Sequence, residues 1–167
     1  MAWTTPATAT AGSTALTAAF WNEQVRDNFV EQFPLGVTVT DFVPTLSGGW
    51  ALGNATYTAK YWRVGKMVTF FVNITIGSTT TKGTSLLVAA PVTAAASDAF
   101  NGVVALFEDV GSAYIPAFVV PGDTTKFELG AGNATASYLA WNNVTATVPF
   151  TWVTGDKIRC GGTYLAA

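Results

Sequence analysis

The chain has 167 residues, half of them apolar and only 11% charged, with a formal net charge of −2 and no histidine. Its densest cations, Lys60, Arg63 and Lys66, merely flank a turn, so there is no phosphate-neutralising surface and no nucleic acid is expected as a partner. A mean hydropathy of +0.35 and a charge content far below the usual quarter or so point to surface hidden in an oligomer. No apolar run approaches the 18 or so residues of a membrane span, so membrane insertion is not expected.

After Met1, residues up to Ser13 are Thr, Ala, Pro, Gly and that Ser around Trp3, with no charged side chain before Glu23. They read as an extended arm whose one large anchor is Trp3. No basic stretch or cleavage site opens the chain, so no secretory signal is expected. Trp21, Val25, Phe29 and Phe33 then recur every four residues and line one stripe of a short α-helix over residues 18–33. Thr17 is its candidate N-cap and Pro34 ends it. A helix of about four turns with one aromatic stripe is not stable alone in water. Trp3, Trp21, Val25, Phe29 and Phe33 are therefore the candidate oligomerisation and attachment residues, and residues 1–33 a unit distinct from residues 34–167.

Everything after Pro34 reads as β-strand. Along Met67–Ile76, Val68, Phe70, Val72, Ile74 and Ile76 face one way and Thr69, Asn73 and Thr75 the other, a clean two-residue period. The preceding strand, Ala55–Arg63, joins it through a tight Arg63-Val64-Gly65-Lys66 hairpin, Gly65 supplying the positive φ. Further strands are predicted over 42–46, 85–89, 102–107, 113–120, 125–129, 138–141, 150–153 and 157–165, the last after a Thr154-Gly155-Asp156 turn. Short strands punctuated by Gly and Pro, with no crossover helix, predict a mainly β fold. It is an antiparallel jelly-roll-like sandwich, preceded by the arm and helix.

Catalytic chemistry is thin. Without histidine there is no Ser-His triad, and the commonest general base and metal ligand are missing. The ten carboxylates are scattered, and Glu108 and Asp109 would point to opposite faces of a strand. Asp98, Asp109, Asp123 and Asp156 fall at predicted turns, where turn chemistry accounts for them and calcium is the competing reading. Gly130-Ala131-Gly132 lacks the third glycine and the helix of a dinucleotide site. The single cysteine, Cys160, reads as a buried thiol. Asn-x-Thr triplets starting at Asn54, Asn73, Asn133 and Asn143 follow from a Thr-rich strand composition. The expectation is a non-enzymatic protein with no cofactor and no metal. Trp50, Trp62, Trp141 and Trp152, with Tyr57, Tyr61, Tyr114 and Tyr138, are candidates for a sugar-stacking platform, weighed against core packing.

The N-terminal residues Met1, Trp3, Thr4, Thr5 and Pro6, followed by Thr17, Ala18, Ala19, Asn22, Val25, Arg26, Asp27 and Asn28, resemble the opening of a family of structural proteins from tailed phages infecting actinobacteria. Trp21 stands where that family usually has Leu. The body is similar to β-rich tail, fibre-head and capsid-surface domains of such phages through Leu52–Thr56, Tyr61–Val68, Gly77–Thr81, Gly155–Ile158 and Gly162–Tyr164. The resemblance implies a virion location and a homotrimer held to other virion proteins through residues 1–33. It also implies a minor tail or fibre protein whose exposed knob contacts the host surface, with host glycan a candidate ligand. The alternatives are a capsid decoration protein or head fibre and, from a different class, a carbohydrate-binding module.

Overall fold

The computed structural model describes residues 38–111, 113–133 and 140–167. The expected arm and helix, and with them Trp3, Trp21, Val25, Phe29 and Phe33, lie outside the described residues. Among the described residues ten strands run in chain order as β1 (Thr40–Asp41), β2 (Leu46–Ser47), β3 (Thr56–Val64), β4 (Met67–Thr75), β5 (Leu86–Ala89), β6 (Val103–Glu108), β7 (Tyr114–Pro121), β8 (Lys126–Asn133), β9 (Ala140–Asn143) and β10 (Lys157–Leu165). A 3-10 turn, Ser97–Gly102, precedes β6. Among the described residues no helix is long and apolar enough to cross a membrane.

All ten strands belong to one antiparallel sheet in the order β1-β3-β4-β10-β6-β7-β8-β5-β2, with β9 added to β8. The alternation along β4 dictates its placement: Val68, Phe70, Val72 and Ile74 are buried, and Ile76 just beyond the strand continues the row. β10 follows the same rule with Ile158, Cys160 and Tyr164 and pairs with β4 over its whole length, from Lys157↔Thr75 to Leu165↔Met67. The β3-β4 hairpin is closed by Gly65 at φ 57°. Strands β5 to β8 lie in the order β6-β7-β8-β5, the Greek-key arrangement.

The sheet folds over so that its inner face packs on itself. Phe70 of β4 and Phe127 of β8 stand 5.6 Å apart, although three strands separate them in the ladder. Phe100 of the 3-10 turn fills the space beside them, 5.5 Å from Phe127 and 5.0 Å from Tyr164. A second aromatic cluster occupies another part of the core: Trp152 lies 5.6 Å from Trp50, 5.4 Å from Phe107 and 4.6 Å from Phe150.

Two predicted strands take other forms. Residues 42–46 do not form one strand. Phe42 extends the β1 pairing by donating to the Ala59 carbonyl, Pro44 has no N–H to give, and Leu46 pairs with Val88 on β5. Because β1 and β2 end opposite edges of the sheet, residues 42–45 bridge the open side of the roll. From Asp41 to Leu46 the chain reaches at most about 18 Å, so the two edges lie that close. Residues 150–153 form no ladder either. Trp152 donates its backbone N–H to Ala146 and its indole Nε1–H to the Val148 carbonyl, making it a plug in the core.

Side chains fasten the loops. Asp156 is fully buried and accepts from the backbone N–H of Val110 (3.0 Å) and Val153 (2.6 Å), joining two loops. Asn54 accepts from Thr79 N–H at 2.8 Å and donates to Ser78 Oγ at 3.0 Å. The stretches Leu52–Thr56 and Gly77–Thr81, distant in sequence, therefore meet.

The register makes a direct test. Phe70→Ala should cost about 3–5 kcal/mol through the cavity it leaves. Thr69→Ala, on the outer face, forfeits a 2.9 Å hydroxyl contact with Thr163 and should cost about 1 kcal/mol or less. Urea unfolding of the two variants measures the difference, and equal costs would disprove the register.

Candidate functional site

Outward-facing residues of a half-buried strand are normally polar, and here they are not. Following the register from Phe71 across the ladder gives Gly161 on β10 and then Val104 on β6. The β6–β7 register carried one pair further places Phe118 opposite Val104. Phe118 in turn pairs with Gly130 on β8, and Gly130 with Asn143 on β9. Phe71, Val104, Phe118 and Trp141 are all exposed, Val104 at 71%.

The row is divided between two sides of the molecule. Since the inner faces of β4 and β8 look at each other through Phe70 and Phe127, their outer faces look in opposite directions. On the β4-β10-β6 side, Gly161 has no side chain and leaves an open groove of about 510 Å³, walled by Phe71, Val104 and Leu106. One end is charged. Glu108 accepts from Lys157 Nζ at 2.7 Å and lies 2.5 Å from Arg159 Nη2. The hydrogen bond from Lys157, assisted by the Arg159 charge, holds the Glu108 carboxyl below its ordinary range.

On the β8-β9 side the principal feature is Trp141. Its six-membered ring takes the space a side chain at Gly130 would need, since a Cβ there would come within 2.3–2.5 Å of three ring carbons. Its Nε1–H donates to Asn143 Oδ1 at 3.0 Å, and the residue remains 36% exposed. The indole is thus held in one orientation on the surface.

The tryptophans proposed for sugar stacking do not form one platform. Trp50 and Trp152 are corrected to core residues, each 3% exposed and packed on one another. Burial of such large apolar rings outweighs any use at the surface. Trp62 is half-buried on the outer face of β3 opposite Thr69, and Trp141 stands on the other side. Of the candidate tyrosines, Tyr57 is exposed on β3 and Tyr114 on β7, Tyr61 packs edge-on against Phe42 with ring centroids 5.9 Å apart, and Tyr138 lies outside the described residues. Sequence reasoning missed Phe71, Val104 and Phe118. Their signal was an apolar residue out of phase with the two-residue alternation.

Two turn carboxylates, Asp109 and Asp123, are committed locally. Asp123 accepts from both the backbone N–H and the hydroxyl of Thr125, which holds its carboxyl down at about 2. Asp109 accepts from Gly111 N–H in its own turn. Among the described residues no group of three or more Cys, Asp or Glu could hold a metal ion. Cys160 is the buried thiol expected, and burial pushes it up to about 12. No family model, no curated protein and no solved structure matches the chain.

Two outcomes follow from these environments. A thiol reagent at pH 8 should leave native Cys160 unlabelled and modify it fully in denaturant, because the thiolate does not form in the core; rapid native labelling would contradict the burial. Glu108 has its folded-state pKa depressed, so its stabilising contribution is complete above the ordinary Glu value of about 4.3 and is lost as pH falls through the folded value. Glu108→Gln should remove that part of the acid dependence, seen as a flatter stability profile below pH 5 in thermal melts.

Proposed function

We propose that this chain is a non-enzymatic structural protein of a tailed-phage virion, a homotrimeric minor tail or fibre protein with an exposed β knob. The observation that carries the reading is the exposed apolar groove across β4, β10 and β6, a surface that a monomer gains nothing by presenting to water. Low charge and the aromatic stripe Trp21, Val25, Phe29 and Phe33 support association independently. The resemblance of residues 1–28 to phage structural proteins supports the virion and the trimer. In this reading residues 1–33 attach the knob to other virion proteins, and its folded body projects outward. The absence of histidine and the engagement of Asp109, Asp123 and Asp156 by backbone N–H groups of turns and loops support a binding or structural role over catalysis.

Sedimentation equilibrium of the full chain should give three times the 17.5 kDa chain mass. Val104→Glu puts an unpaired charge into the groove and should shift the protein toward monomers while its circular dichroism stays unchanged, since Val104 makes no part of the core. A monomeric wild-type protein at micromolar concentration would defeat the assembly reading. Antibody labelling of virions locates the protein: label at the tail tip agrees with the proposal, and label over the head favours a capsid decoration protein.

A further inference from the structure

We propose that the β8-β9 face carries a binding site for a neutral sugar, with Trp141 as its stacking surface. The inference rests on the fold and on the position of Trp141, not on the virion reading, which would survive its failure.

Three features converge there. First, the indole is pre-oriented. Gly130 underlies it, the Nε1–Asn143 bond fixes its edge, and it still meets solvent. A rigid aromatic held this way gives up little conformational entropy when a ligand packs on it. A glycine under an exposed tryptophan ring is costly for a strand, and among the described residues Trp141 pairs with none of the buried aromatic rings.

Second, hydrogen-bonding groups rim the ring. Asn143 is the cross-strand partner of Gly130; its Oδ1 is used by the indole, leaving its amide N–H donors for a ligand hydroxyl. Glu128 lies two residues along β8 on the same face, about 6.8 Å from Gly130. Ser85 Oγ donates to its Oε1, and the second oxygen is left to accept from a ligand. Phe118, also exposed, extends the apolar floor on the other side of Gly130. An apolar ring face with a donor and an acceptor at its margin matches a pyranose, whose C–H face is apolar and whose rim is hydroxyl.

Third, charge selects a neutral ligand. Glu128 puts a negative charge at the site. Lys126, the cation on that face of β8, lies 3.4 Å from the Asp123 carboxylate. An acidic sugar would be repelled. The Trp141 ring lies over β8, two strands beyond Val104 on β6 and four beyond Phe71 on β4.

The test uses the full-length protein and a set of neutral disaccharides and trisaccharides of glucose, galactose, mannose and N-acetylglucosamine, with sialyllactose as the acidic comparison. Binding is read by saturation-transfer NMR and titration calorimetry. At least one neutral saccharide should bind, and Trp141→Ala should weaken it by about tenfold or more with an unchanged melting temperature. Asn143→Ala should weaken it several-fold, and Trp62→Ala, on the other side, should leave it unaltered. If Trp141→Ala does not fold, Asn143→Ala and Glu128→Gln carry the same comparison. No binding of any neutral saccharide at 10 mM, equal binding by Trp141→Ala (or by both rim variants if it does not fold), or a preference for sialyllactose would each overturn the proposal.

Discussion

Phe70 on β4 and Phe127 on β8 are kept three strands apart by the hydrogen-bond ladder, yet their rings touch. That contact requires a single sheet to fold over on itself, and the rest of the architecture depends on it. Once the inner faces meet, the alternation of β4, β10 and β8 yields a sealed core. The chain 42–45 can then bridge the two free edges, and Phe100 and Tyr164 fill the space between the layers. Each of these rings buries enough apolar surface to contribute roughly 1.5–3 kcal/mol, whereas the exposed ion pair of Lys60 with Asp41 contributes about 0–1 kcal/mol. Apolar packing, with little help from charge, holds the fold.

The same folding-over creates two outward faces with different chemistry. One carries an apolar groove formed where β10 places a glycine between Phe71 and Val104. The other carries a single oriented tryptophan rimmed by amide and carboxylate. Glycine is the device on both. At Gly161 a missing side chain makes a depression, and at Gly130 it makes room for a ring. A dry groove suits a protein surface, and an aromatic with polar margins suits a small hydroxylated ligand.

Alternation along Met67–Thr75 and Lys157–Leu165, the Gly65 hairpin and the buried Cys160 were all legible in the sequence, because a strand's two-residue period and a turn's φ requirement are local properties. The mainly β antiparallel class followed from them. Local pattern could not say which strands become neighbours, so it gave no hint that β10 would lie between β4 and β6, or that residues 42–46 would divide between opposite edges. It also could not sort the tryptophans. Trp50, Trp152 and Trp141 are chemically alike, and only the packing of distant strands put two in the core and one on the surface. Phe71, Val104 and Phe118 acquire meaning as a row only when β4, β10, β6 and β7 are aligned. Their joint exposure depends on long-range register, a property of the folded sheet and not of any one strand.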